Sequence, residues 1–463
     1  MAPVFLSAVI AMEHYGALAI VPTLIVLVLA VVTRRATECL LVGALAGMAM
    51  VDPATVLSNF SDTSLRVLTN RDVAWTILVC CLMGSMIALW IRSGAIAAFT
   101  SSMGRFFHSR ENTLMGAWVL GLLLFVDDYL NSLSVGASMR QVVDRFRVSR
   151  EMLAYVVDST AAPVSVLVPI STWAVFFGGL LEANGIAADG QGVRYYMGAI
   201  PYMFYAWLAV FMVPLVIYGR IPLVGPMRRA EERATTTGRT VPPGAEHVEE
   251  ANQAVGEHPD ADRRTSNFSI SLAALVFFTW YFDIDFLKGL FVSLALTLVM
   301  MIGRRSLGFN EALDTVIDGL KMMIPPMTVL VAAFIFKEVN DSLGLARYVI
   351  ENVQPLMTAR LLPMVVFVTM GSVSFATGSN WGVFVIILPI VSSLATAVGA
   401  DMTVVVGATL SASTFGSHAC LYSDATVLTA QATGCTSFQH AVTQLPFALM
   451  AAFVAALAYF LVA

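Results

Sequence analysis

Phe125-Val-Asp-Asp-Tyr-Leu-Asn-Ser132 lies in the middle of an apolar stretch, 113–139, and sets two adjacent carboxylates inside it. Ionisable residues within a membrane segment are costly, and they are tolerated where they line a water-filled cavity. Basic residues flank the stretch on both sides, Arg105 and Arg110 before it and Arg140, Arg145, Arg147 and Arg150 after it. Clusters of Lys and Arg in short loops mark the cytoplasmic side, so both ends are expected on that side. The stretch then enters and returns as a re-entrant hairpin. Its non-helical tip has to be buried in protein or wetted.

The rest of the chain supplies the membrane that this reading needs. Of 463 residues, 58% are apolar or aromatic and 12% are charged, with 26 basic and 31 acidic side chains. Mean hydropathy is +0.79. Soluble domains carry about 25% charged residues. A soluble enzyme, a disulfide scaffold, a disordered chain and a coiled coil are therefore excluded. Apolar stretches recur at 13–33, 36–52, 73–91, 113–139, 152–182, 196–219, 268–286, 287–303, 322–345, 361–394, 402–431 and 444–462. This is the pattern of an all-α polytopic membrane protein, without the alternation of a barrel strand. The first twelve residues hold no Lys or Arg, so a cleaved signal peptide is not expected. The five cysteines show no metal-ligand spacing and read as packing residues. Nothing in the net charge of −5 points to nucleic acid.

Segment 226–267 differs in kind, holding 14 of the 57 charges together with Pro242-Pro243. It reads as a hydrophilic cytoplasmic linker between residues 1–225 and 268–463. Arg34-Arg35, Arg220, Arg228, Arg229 and Arg304-Arg305 mark further cytoplasmic ends. The counterpart of the first hairpin is 361–394, centred on Phe375-Ala-Thr-Gly-Ser-Asn-Trp-Gly382. A shift of 250 carries Gly94 onto Gly344 and Phe125 onto Phe375. A shift of 252 carries Ser165 onto Ser417, Ser171 onto Ser423 and Val175 onto Val427. Each half reads as three helices, a hairpin, a polar-centred broken helix (about 152–182 and 402–431) and a last helix. About ten crossings with two re-entrant hairpins would make the halves inverted repeats, the plan of secondary transporters with a site near midplane.

Four polar centres are the candidate site. The first is Asp127, Asp128, Asn131 and Ser132, whose oxygens suit a hard cation; either carboxylate could instead carry a proton or cap the following helix. The second is Asp158, Ser159 and Thr160 with Pro163, continuing to Pro169, Ser171, Thr172 and Trp173. Two prolines inside an apolar helix free backbone carbonyls, which could join the hydroxyls around a cation or merely mark a kink. The third is Thr377, Gly378, Ser379, Asn380 and Trp381, where glycine lets the backbone approach a ligand and a helix start favours an anion. The fourth runs through Ser413, Thr414, Gly416, His418, Ser423 and Asp424. Here Gly416 is expected to break the helix as Pro163 does, and His418 with Asp424 could move a proton. Lys337-Glu338 reads as a pair snorkelling at a helix end. No nucleotide-binding, nucleophile-elbow or metalloprotease pattern is present. The expected class is therefore a secondary transporter without a cofactor, not an enzyme, driven by a sodium ion, a proton or both.

Phe125-Val-Asp-Asp-Tyr129, Ser149-Arg-Glu-Met-Leu-Ala-Tyr-Val-Val-Asp-Ser-Thr-Ala-Ala-Pro163, Thr377-Gly-Ser-Asn-Trp-Gly382, Gly416-Ser-His418 through Ser423-Asp424, and Thr443-Gln-Leu-Pro446 together resemble the NhaC-type sodium/proton antiporter family. The resemblance covers most of the chain outside the linker. It implies a superfamily of ion-coupled carriers with inverted repeats, a homodimer, and a transport domain that moves like an elevator. The location it implies is a bacterial-type inner membrane, with the lipid bilayer and a small ion or small organic substrate as partners. Sodium candidates are Asp127, Asp128, Asn131, Asp158, Ser159, Ser379 and Asn380. One departure stands out: where the family often reads Gly-Asp-His and then Ser-Pro, this chain has Ser417, Cys420 and Leu421. A lost carboxylate beside an added Tyr422 also suits a sodium- or proton-coupled carrier of a small organic ion, such as an amino acid or a carboxylate.

Overall fold

The computed structural model describes residues 15–33, 35–103, 107–125, 127–246, 248, 250, 264–283, 285–345, 348, 351–352, 358–378 and 381–462. The first half opens with Val21–Thr33 and Ala36–Val51, then Val56–Thr69, Arg71–Arg92 and Ala95–Met103. The first hairpin is Arg110–Leu123 and Asp128–Arg145, and the broken segment is Arg150–Asp158, Ala162–Leu167 and Thr172–Ala183. Gly192–Ala199 and Phe204–Ile217 close the half. The second half runs Thr265–Tyr281, Phe286–Gly303, Phe309–Met322 and Ile324–Leu343. Its hairpin is Leu362–Thr377 and Trp381–Val398, its broken segment Met402–Ala419 and Asp424–Thr433, and its last helix Ser437–Val462. No strand occurs among the described residues.

The fold is that of an all-helical membrane protein. Val73–Arg92, Phe286–Gly303 and Ser437–Val462 are each long and apolar enough to cross a bilayer. Among the described residues the number of such spans is up to seven if each bent helix pair counts as one. Phe211, Trp280, Val299, Phe453 and Leu461 are all more than half exposed, an outer surface that lipid covers. Two amphipathic helices fall between the apolar stretches that the sequence marks. In Val56–Thr69, Leu57 and Leu65 face outward while Thr63 and Val67 are buried; in Phe309–Met322, Phe309 and Ile317 face outward while Ala312 and Gly319 are buried. Their charges lower the mean hydropathy and hide them from an apolar scan; the 3.6-residue period of their apolar positions is the signal that finds them.

The halves interlock through matching contacts. Ala36–Val51 packs on Ile324–Leu343, and Phe286–Gly303 packs on Arg71–Arg92. Asp128–Arg145 also packs on Asp424–Thr433 across the halves, while within the second half Leu362–Thr377 packs on Met402–Ala419. Both broken segments part at equivalent places, 168–171 and 420–423. Ser171 caps Thr172–Ala183 through Ala174 N and donates to Ser165 O at 2.6 Å. Ser423 caps Asp424–Thr433 through Thr426 N and donates to Ser417 O at 2.6 Å.

Two expectations need correction. Gly416 does not break its helix, which runs unbroken through Met402–Ala419. What requires glycine there is contact: a Cβ at Gly416 would overlap Ser374 Oγ and Cβ. Pro163 sits in the first turn of Ala162–Leu167, where its missing N–H is harmless. The break beside it, at 159–161, has no counterpart in the second half.

The stretch read as a solvated linker is partly folded. Gly225–Thr237 is a helix that buries Met227, Ala230, Glu231 and Ala234. Glu231 accepts from Ser149 N at 2.8 Å and pairs with Arg110. Arg233 grips Glu151 with two bonds of 2.8 and 2.9 Å. Thr240 Oγ1 donates to Asp144, which also takes two bonds from Arg150. This strap, Gly225–Thr237 with Thr240, therefore touches Arg110 at the start of the first hairpin and Asp144 at its end. Residues 251–263 lie outside the described residues.

Candidate functional site

Asp127 and Asp128 divide the two roles that the sequence leaves open. Asp127 is extended, at φ −152° and ψ 139°, and its Oδ1 accepts from Tyr129 N and Leu130 N at 2.9 and 3.0 Å. That is an N-cap. Its Oδ2 accepts from Thr172 Oγ1 at 3.0 Å. Asp128, in the first helical turn, accepts from Trp173 Nε1 at 3.1 Å through Oδ1, and its buried Oδ2 has no partner among the described residues. Asn131 Nδ2 donates to Gly121 O and Thr160 O, both at 2.7 Å, which leaves Asn131 Oδ1 buried without a donor. Buried polar atoms are nearly always satisfied, and leaving one unpaired costs about 1–3 kcal/mol. Among the described residues, then, two buried oxygens from positions one helical turn apart remain free to accept.

Asp424 joins this centre from the other half of the chain. Its Oδ1 accepts from Ala425 N, and its Oδ2 accepts from Tyr129 Oη at 2.5 Å. Ser132 Oγ accepts from Thr429 Oγ1 at 3.0 Å, a second tie between the same two helices. Tyr129, Asp424, Thr172, Thr377 and Gly378 line one cavity of about 400 Å³, which Arg71, Trp75, Lys337 and Glu338 also border. Lys337 and Glu338, read as snorkelling at a helix end, both border the cavity, and Lys337 pairs with Asp341 at 2.7 Å in an i,i+4 bridge.

Asp158 belongs to a separate network. Its Oδ2 contacts His440 Nε2 at 3.0 Å and accepts from Gln444 Nε2 at 2.7 Å, while its Oδ1 has no partner. Gln444 Nε2 also donates to His418 O. The His418 ring is held on both sides, by Ser159 Oγ at 3.0 Å and Tyr205 Oη at 2.7 Å. No hydrogen bond joins His418 to Asp424, so the expected proton-moving pair is divided between two networks. Asp158, His418, His440 and Gln444 are 0–1% exposed. Ser417, where the family pattern carries a carboxylate, has a buried Oγ without a partner.

The remaining candidates hold backbone. Thr160 Oγ1 bonds Val156 O and Val157 O, Thr414 Oγ1 bonds Leu410 O, and Thr377 Oγ1 bonds Val373 O. Ser413 is buried in Met402–Ala419. Gly378 ends its helix at φ +66°, and a Cβ there would meet the Tyr422 ring at 2.8 Å. Tyr422 Oη donates to Ala376 O at 2.6 Å, so the added bulk braces the second hairpin turn. Trp381 opens its helix. Ser379 and Asn380 lie outside the described residues.

Sequence reading passed over Tyr129 and Tyr205 as site residues, and it quoted Gln444 for resemblance alone. It missed His440. The available signal was spacing: His440 and Gln444, four apart in Ser437–Val462, share one face.

The model of the family described as the Na+/H+ antiporter family matches residues 191–463. An uncharacterized protein of Haemophilus influenzae (strain ATCC 51907 / DSM 11121 / KW20 / Rd) is 26% identical over 96% of this chain and 90% of its own length.

Proposed function

Because the chain belongs to the Na+/H+ antiporter family, we propose that it exchanges sodium ions for protons, with Asp128 as the central cation ligand. The observation that carries the reading is the pair of unsatisfied buried oxygens, Asp128 Oδ2 and Asn131 Oδ1. Asp128 follows the cap Asp127 and precedes Tyr129, which lines the cavity and bonds Asp424. A carboxylate stripped of water binds a cation or a proton in preference to standing bare. Competition between the two ions at one centre is sufficient for exchange: sodium arriving on one side releases the proton, and a proton arriving on the other side releases sodium.

The finer reading places the chain in the NhaC type, on the Asp158-Ser-Thr-Ala-Ala-Pro163 and Gly378-Ser-Asn-Trp-Gly382 runs. Residues 1–225 and 268–463 would form inverted repeats in a bacterial-type inner membrane. The equivalent Ser171–Ser165 and Ser423–Ser417 bonds support that repeat, as do the matching contacts between halves. Homodimerisation and an elevator-like motion follow from the resemblance. The test uses purified protein in liposomes with an internal pH dye. A sodium gradient alone should move protons. A signal that starts only when an amino acid or carboxylate is added would replace this reading with an organic-ion carrier.

A further inference from the structure

Tyr129 lines the cavity and bonds the carboxylate of Asp424, which lines it too. It lies in the first turn of Asp128–Arg145, one residue beyond Asp128, yet the two side chains face different surroundings. Tyr129 and Asp424 line the cavity; Asp128, 2% exposed, does not, and neither does Asn131, 0% exposed. The Tyr129 ring packs on Trp75 of Arg71–Arg92, with centroids 5.9 Å apart. Its hydroxyl occupies Asp424 Oδ2 at 2.5 Å. The other oxygen, Oδ1, takes the backbone N–H of Ala425 at 2.8 Å. Asp424 thus has a donor from the protein on each oxygen, while Asp128 Oδ2 and Asn131 Oδ1 have none among the described residues.

We propose that the Tyr129–Asp424 hydrogen bond is the inner door of the transport path, and that Tyr129 is a positioning residue that sets sodium affinity by holding an Asp424 oxygen until a cation displaces it. This rests on the reading that Asp128 and Asp424 serve one cation path. A cation in the cavity that reaches Asp424, which lines it together with Glu338, finds Oδ2 already occupied. To gain a ligand there it must displace the Tyr129 hydroxyl from Oδ2. That displacement removes one of the two side-chain ties named between the hairpin helix and Asp424–Thr433, elements from opposite halves of the chain; Ser132–Thr429 is the other. The strength of the bond opposes the uptake of sodium, and its re-formation favours release.

Tyr129→Phe keeps the ring on Trp75 and removes the hydroxyl. In liposomes, Y129F should lower the KM for sodium about tenfold, the weight of a hydrogen bond to a charged group. Vmax should fall as well, since release is no longer assisted. A merely structural tyrosine would lower Vmax and leave KM in place. Asp424→Asn should weaken sodium binding, and Y129F added to D424N should change KM no further, because Tyr129 acts through Asp424. An unchanged KM in Y129F would overturn the proposal, as would a Y129F shift that persists in the D424N background. Failure of the wild-type protein to move protons with sodium would instead overturn the exchange reading itself, so the two failures are distinguishable.

Discussion

Ser423 Oγ donates to the backbone carbonyl of Ser417, six residues back, at 2.6 Å. Ser171 makes the same bond to Ser165 O at the same length. Each serine also caps the helix that follows its break, so one side chain satisfies a stray carbonyl and an orphan N–H at once. Alanine at either position should lower stability by about 1 kcal/mol, read as a fall in Tm of the detergent-purified protein. Unchanged Tm in both variants would show that the serines do not hold the breaks.

Asp127 is placed as a cap. Asparagine caps a helix about as well as aspartate, whereas alanine costs about 0.5–2 kcal/mol. Asp127→Asn should therefore keep the expression level and Tm of the wild type, and Asp127→Ala should lose about 1 kcal/mol. Equal destabilisation by both would show that the charge matters there and not the cap.

His440 and Gln444 are the two polar contacts of the buried Asp158 carboxylate. Removing one partner leaves a buried charge less compensated, at a cost of about 3 kcal/mol. His440→Ala should destabilise by roughly that amount. Asp158→Asn combined with His440→Ala should cost clearly less than the two single changes added together, because the pair is coupled. Simple additivity in thermal melts would contradict the contact.

The hairpin reading predicts a topology. Asn112 and Gln141 are exposed near its two ends, and one strap joins those ends through Arg110–Glu231 and Asp144–Thr240. Cysteines at 112 and 141, in a background without accessible native thiols, should react with an impermeant maleimide from the same side of the membrane. Labelling from opposite sides would show a crossing.

What the sequence reveals here follows from how loudly each residue contradicts its surroundings. Asp127 and Asp128 stand out because two charges inside an apolar stretch demand an explanation. The break at Ser423 is foreshadowed by its match to Ser171. Gly416 misleads because glycine in a membrane helix signals either a break or close packing, and only the position of Ser374 decides between them. His440 and Tyr205 stay hidden because only packing aims them at Asp158 and His418. The docking of Gly225–Thr237 is hidden for the opposite reason: its charges read as solvated until Glu231 and Arg233 are seen to meet Arg110 and Glu151.

The most direct measurement of the central claim is proton release on sodium binding. Purified protein in weakly buffered detergent solution would be mixed with sodium chloride, with choline chloride as control, and the pH followed by a dye. The wild type should acidify the solution with sodium and not with choline, while Asp128→Asn should release no proton. Absence of acidification in the wild type, or the same release in D128N, would contradict exchange at Asp128.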